Sequence, residues 1–176
     1  MKKLTDYIVT IDNIINKKTC EDVINSCAFK DFEVAESQST DPRYRLCYIR
    51  RLNKTFENTF FKAVGKCLKT YSDLHPYFST GLTCEDTGYE QLLYLGSDKG
   101  EYKEHVDHLD LFPRVLSCSF VLNDNYEGGE FSFFNGEYIV SPQQGTVLIF
   151  PSNFIFPHAV KPVSNGDRHA VVTWIR

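Results

Sequence analysis

The stretch Gly100-Glu101-Tyr102-Lys103-Glu104-His105-Val106-Asp107, read with His158-Ala159-Val160 and with Arg168-His169-Ala170-Val171-Val172-Thr173-Trp174, decides how this chain folds. On an extended strand, residues two apart project to one face about 6.6–6.8 Å along the axis, so His105 and Asp107 can converge on a single ion. Val106 between them points away. A third donor is available from His158, on a later strand whose Phe154, Phe156, His158 and Val160 share one face. Two imidazoles and one carboxylate that leave coordination positions open suit a non-haem iron(II) centre. His108 and Asp110 repeat the same spacing, and spacing alone does not choose between the two pairs.

The run from Arg168 supplies the second constraint. Arg168, Ala170, Val172 and Trp174 share strand parity, which aims the guanidinium into the interior if the alternate residues face a core. An unpaired buried guanidinium costs several kcal/mol and therefore needs an anion beside it. A dicarboxylate meets that need through the bidentate pairing that arginine geometry favours. Formal charges of iron(II), Asp107, the dicarboxylate and Arg168 then sum to zero. The alternative is an Arg168 turned outward to pair with Asp167 or Asp124 at the surface.

With 176 residues, 42% of them hydrophobic and 14% aromatic, the chain can bury one substantial core. A single domain over 1–176 is expected, with a supporting strand and helix region over 1–80 and a strand-rich core over 88–176. Nineteen basic against 23 acidic residues leave a formal net charge of -4, which weighs against a nucleic-acid partner held through phosphates. Met1-Lys2-Lys3 opens like a secretory leader, but Asp6 and Asp12 interrupt the apolar stretch that should follow, and no apolar run approaches bilayer length. A soluble cytoplasmic protein without membrane contact is expected. The six cysteines, at 20, 27, 47, 67, 84 and 118, form no CxxC pair and read as reduced core thiols.

Along the chain, Tyr7 to Ile11 alternates like a short strand, and Thr19 resembles the capped start of a helix running to about Cys27. The polar stretch Val34 to Tyr44, with Pro42, reads as a mobile loop. Phe56, Phe60, Val64, Leu68 and Tyr71 recur at helical spacing and predict the longest helix over about 53–74. After His75-Pro76 the texture changes to strands, over roughly 89–95, 101–107, 115–123, 130–134, 138–140, 146–150, 154–160 and 169–175. About eight core strands with helices against one face make a mainly β chain of α+β class, a double-stranded β-helix or jelly roll.

From Gln91 to Arg176 the sequence resembles the 2-oxoglutarate and iron(II)-dependent dioxygenases, specifically their prolyl 4-hydroxylase-like branch. The resemblance lies in an ordered set: Tyr94, Gly100 to Asp107, Arg114 to Leu116, Leu122-Asn123, Gly128 to Glu130, Gly145 to Phe150, His158 to Val163 and Gly166 to Trp174. In that family a Tyr precedes the first ligand by three residues, as Tyr102 precedes His105, which selects His105 and Asp107 over the second pair. The basic residue for the far carboxylate of 2-oxoglutarate follows the last His by about ten positions, which selects Arg168. The resemblance further implies that Tyr94 offers its hydroxyl to the cosubstrate, that Trp174 lines the cavity beside it, and that Arg114 and Tyr102 face the substrate. The segment Gly96 to Gly100 is longer than the family loop, and the connection from Asp107 to Arg114 is short. Val34 to Tyr44 matches the family's substrate lid in composition only.

What the resemblance implies for activity is hydroxylation of a peptidyl proline, consuming O₂ and 2-oxoglutarate and releasing succinate and CO₂, with ascorbate as reductant. A peptide or protein substrate is expected, and a small-molecule substrate is the alternative. Competing readings are an oxygenase of the same superfamily acting on another amino acid, a metabolite or a nucleic acid, and a non-catalytic jelly-roll binding module. A zinc hydrolase would use the same donors, but it lacks a general-base Glu at helical spacing and leaves Arg168 without a purpose.

Overall fold

The computed structural model describes residues 2–37, 39–78, 80, 85–111 and 113–176. Cys84 and Gln38, which figure in the expectations for the thiols and the polar loop, lie outside the described residues. Helix α2, Lys54–Leu74, forms where the apolar periodicity predicts it. The Asn53 side chain accepts the Thr55 N–H at its start, satisfying one of the donors that a helix N-terminus leaves open. Phe60, Ala63, Val64, Cys67 and Tyr71 form its buried stripe. Helix α1, Lys17–Asn25, begins two residues before the Thr19 start suggested by the sequence. Asn16 is the cap, and it takes the N–H of Thr19 itself.

Fourteen strands follow in chain order among the described residues. They are β1 (Val9–Ile11), β2 (Glu33–Val34), β3 (Arg45–Leu46), β4 (Tyr48–Arg51), β5 (Glu90–Leu95), β6 (Glu101–His105) and β7 (Leu116–Val121). Then come β8 (Glu127–Gly128), β9 (Phe131–Phe133), β10 (Tyr138–Val140), β11 (Val147–Pro151), β12 (His158–Val160), β13 (Val163–Asn165) and β14 (Asp167–Ile175). A seven-stranded sheet runs β1-β11-β7-β14-β5-β4-β2, and a five-stranded sheet runs β10-β9-β12-β6-β3. Every pairing is antiparallel. Two facing antiparallel sheets, with helices laid against the larger one, make a mainly β jelly roll.

The region before α2 does more than buttress. Strands β2 and β4 extend the larger sheet, and β3 forms an edge of the smaller one. Sequence reading missed these strands because they are two to four residues long and flank a polar stretch with too few alternations to register. β12 is likewise shorter than expected. Phe154 is 79% exposed while Phe156 is 4% exposed, so the two do not share a face. Asn153 accepts the Ile155 N–H through its side chain and the Phe156 N–H through its carbonyl, which makes this segment a turn leading into the strand.

Two apolar layers result. One fills the space between the helices and the larger sheet and contains Phe60, Cys67, Tyr71, Phe120, Val171 and Ile175. The other lies between the sheets and contains Leu92, Tyr94, Phe131, Phe133, Phe150, Val160 and Val172. Cys20, Cys27, Cys47, Cys67 and Cys118 are free thiols. No helix among the described residues is long and apolar enough to cross a membrane.

Phe60 is fully buried and meets the Phe120 ring edge-on at 5.1 Å. Phe60→Ala should therefore cost about 3–5 kcal/mol of unfolding free energy in a denaturant titration. The neighbouring Phe61 is 62% exposed, and Phe61→Ala should stay within about 0.5 kcal/mol. Equal losses at the two positions would contradict the packing of α2 on the larger sheet.

Candidate active site

The register of the smaller sheet brings two imidazoles together. His158 on β12 is the cross-strand partner of His105 at the end of β6, and their ring centroids stand 4.3 Å apart. A carbonyl can only accept, so His105 donates from Nδ1 to the Lys103 carbonyl at 2.8 Å and His158 donates from Nδ1 to the Phe156 carbonyl at 3.1 Å. Both Nε2 lone pairs are thereby left free, in the tautomer that metal binding requires.

Asp107 reaches the same point by a different route from the one its spacing suggested. β6 ends at His105, so Asp107 follows the strand and is not positioned by strand alternation. Ser117 on β7, in the opposite sheet, draws it in by donating its hydroxyl to Asp107 Oδ2 at 2.7 Å. Ser152 braces Ser117 at 2.8 Å. Asp107 Oδ1 stands 3.4 Å from His105 Nε2, and Oδ2 stands 3.5 Å from His158 Nε2. The three donor atoms lie within 4.8 Å of one another.

The electrostatics suit a cation. Burial works to raise the Asp107 carboxyl, but the two adjoining imidazoles outweigh it and hold the group well below the usual carboxylate range. Burial pushes the His105 imidazole below its ordinary value, which keeps its lone pair available at neutral pH. Two imidazole nitrogens and a carboxylate oxygen brought together in this way match the donor set of an iron(II) oxygenase centre.

Arg168 stands deeper between the sheets and is 1% exposed. Its cross-strand partner on β5 is Tyr94, and its guanidinium carbon lies 5.1 Å from the Tyr94 ring and 5.0 Å from the Phe131 ring. The outward alternative fails because the side chain is 1% exposed and neither Asp167 nor Asp124 stands within ion-pair distance of it. Asp167 accepts the Gly96 N–H, and Asp124 accepts the Gln144 N–H. Among the described residues no carboxylate lies within ion-pair distance of Arg168, and its Nε has no hydrogen-bond partner. Gly129 makes room for it: at φ +69°, a Cβ there would meet Arg168 Cδ at 2.9 Å.

The other expected residues line the same cavity. Tyr94, Tyr102, His105, Asp107, His158, Arg168 and Trp174 all border the space between the sheets. Burial raises the Tyr94 phenol above its ordinary value, which keeps it a neutral O–H donor. Tyr102 stacks on His105 with centroids 3.5 Å apart, and burial pushes its phenol up to about 12. Arg114 lies flat over Trp174 at 3.6 Å and donates to the Asp107 carbonyl at 3.2 Å. His108 and Asp110 are exposed, and the first donates from Nδ1 to the Arg114 carbonyl, so neither joins the cluster.

Sequence reading missed Arg45, Ser117 and Gly129. Ser117 left a signal, since Ser117 and Ser119 alternate within an otherwise apolar buried strand and mark the cavity face of β7. Arg45 left none, because it sits on a two-residue strand.

Comparison with known proteins agrees with this arrangement. Residues 90–176 match the sequence profile of the 2OG-Fe(II) oxygenase superfamily. A PKHD-type hydroxylase of Psychrobacter sp. (strain PRwf-1) is 34% identical over 41% of this chain and 29% of its own length, so the match spans under a third of that relative. A prolyl hydroxylase of Trichoplax adhaerens, solved in complex with a hypoxia inducible factor oxygen degradation domain peptide fragment, superposes with a TM-score of 0.75 at 20% identity. That superposition covers 97% of this chain and 84% of the other. A Pseudomonas putida prolyl-4-hydroxylase gives 0.74 at 18% identity, over 97% and 92% of the two chains. These likenesses extend the shared fold to nearly the whole chain. The matched stretch holds His105, Asp107, His158 and Arg168, and over those residues the chain belongs to the 2OG-Fe(II) oxygenase superfamily.

Proposed function

We propose that this chain hydroxylates a C–H bond of a peptidyl proline, consuming O₂ and 2-oxoglutarate and releasing succinate and CO₂. The observation that carries the proposal is the uncompensated Arg168 guanidinium, buried in the cavity where His105, Asp107 and His158 present their donor atoms. In this reading Nε2 of His105, Nε2 of His158 and a carboxylate oxygen of Asp107 hold iron(II) from one side, and Arg168 takes the far carboxylate of 2-oxoglutarate. The net charge of that assembly is zero, which makes its burial tolerable. Tyr94 donates its hydroxyl to the cosubstrate, and Trp174 walls the cavity beside it. Iron(II) with these cosubstrates supplies an oxidant that inserts one oxygen atom into an unactivated C–H bond. The chain's own task is to fix ligand geometry, exclude water and present one bond of the substrate.

A peptide substrate is supported by the open cavity of about 770 Å³ above the metal ligands, bordered by Tyr44, Tyr102, His105, Val106 and Arg114. The superposed Trichoplax adhaerens enzyme holds a peptide fragment. Arg114 and Tyr102 would face that substrate. Ascorbate as the reductant belongs to the same proposal, and so does a cytoplasmic setting, which the free thiols among the described residues support.

Incubation with iron(II), 2-oxoglutarate, ascorbate and a panel of proline-rich peptides should yield succinate together with peptides heavier by one oxygen atom on proline. Succinate without peptide oxidation, and oxidation of a metabolite or another residue, would transfer the activity to a different substrate. No succinate under any condition would point to a binding module. Ser117→Ala removes the hydroxyl bound to Asp107, and it should weaken the metal affinity of the folded protein by about 10–100-fold. Arg168→Ala should raise the apparent KM for 2-oxoglutarate by at least about tenfold while metal affinity persists. An Arg168→Ala protein with unchanged KM would remove the guanidinium from the site.

A further inference from the structure

Two guanidiniums besides Arg168 face the site, and neither is spent on a carboxylate. Arg45, on β3, lies over the Tyr102 ring at 4.7 Å and donates from Nη1 to the Glu36 carbonyl at 2.8 Å and from Nε to Cys47 Sγ at 3.3 Å. Arg114 is fixed against Trp174 at 3.6 Å and spends one N–H on the Asp107 carbonyl, while its buried Nε has no partner. Both border the mouth cavity of about 770 Å³ and the adjoining one of about 550 Å³. Glu33, Glu36 and Glu90 stand in the outer wall. No carboxylate among the described residues comes within ion-pair distance of either guanidinium, and none of the remaining residues is an Asp or Glu.

We infer that Arg45 and Arg114 form a clamp for a carboxylate carried by the substrate beside the carbon to be oxidised. The inference rests on the hydroxylase reading and narrows it. In that reading iron(II), Asp107, 2-oxoglutarate and Arg168 already balance to zero, so neither guanidinium at the mouth is needed to neutralise them. Both are half-buried and held by aromatic stacking and backbone hydrogen bonds, so their orientation is set before anything binds. A pre-oriented pair of guanidiniums recognises a carboxylate through charge-assisted, bidentate hydrogen bonds. The carboxylate can come from an acidic residue next to the target in a peptide or from the free acid of a small substrate.

Trp174, the only tryptophan of the chain, lies directly beneath Arg114, so its fluorescence reports on occupancy of the clamp without any turnover. With iron(II) and 2-oxoglutarate present and oxygen excluded, the probes are N-acetyl-Ala-Pro-Asp-amide against its Asn counterpart, and N-acetylproline against its amide. At least one acid should bind about tenfold or more tightly than its amide, and the arm that does so identifies the source of the carboxylate. The preference should fall to near unity in Arg45→Gln and Arg114→Gln and return in part in Arg45→Lys. The amide must still bind each variant as tightly as it binds the unaltered protein, which a general loss of folding or of metal would not allow. Acid and amide probes that bind the unaltered protein alike, at whatever strength, overturn the clamp, as does a preference that survives both Gln variants. Turnover separates the two claims. Equal hydroxylation of acid and amide peptides removes the clamp and leaves the hydroxylase reading, whereas acid-selective binding with no oxygen gained by any probe keeps the clamp and removes peptidyl proline as the target.

Discussion

A buried positive charge without a counter-ion is the constraint around which this molecule is organised. Arg168 is 1% exposed and meets two aromatic rings, and among the described residues no carboxylate is within ion-pair distance of it. Leaving it so costs several kcal/mol, and the fold bears that cost in a cavity whose other end holds the donor atoms of His105, Asp107 and His158. In the proposed function the two ends take one guest, a cation at the histidines joined to a dianion that reaches the guanidinium. The antiparallel jelly roll supplies the spacing, because it sets the ligand strands β6 and β12 in one sheet and Arg168 on β14 in the other.

Each of the three candidate metal donors is held by a device suited to its chemistry. Backbone carbonyls fix the imidazole tautomers, and a hydroxyl from the opposite sheet fixes the carboxylate. The site therefore depends on the separation of the two sheets, and α2 secures one side of that separation by packing Phe60 against Phe120 of β7. Core packing thus bears on Asp107 through the strand that also carries Ser117.

Much of this was legible in the sequence, for identifiable reasons. Helix α2 announced itself by the recurrence of Phe60, Val64 and Tyr71, and the inward aim of Arg168 followed from its parity with Val172 and Trp174. The site was legible through an ordered set of short motifs rather than through any single spacing. His105 and Asp107 were paired by an argument from strand geometry that does not apply to Asp107, which lies past the end of β6. Strands β2, β3 and β4 were invisible because so few residues carry no period. With them went Arg45, whose role comes entirely from a long-range pairing with Tyr102 across β3 and β6. Gly129 could not be read either, since the contact that requires it is with a side chain 39 positions away.

The most direct test of the account is a crystal structure of the protein grown without oxygen in the presence of iron(II) and 2-oxoglutarate. The account predicts one metal ion bound by His105 Nε2, His158 Nε2 and a carboxylate oxygen of Asp107, with 2-oxoglutarate joining it and its far carboxylate paired to Arg168. Metal bound elsewhere, or a 2-oxoglutarate that makes no contact with Arg168, would contradict it.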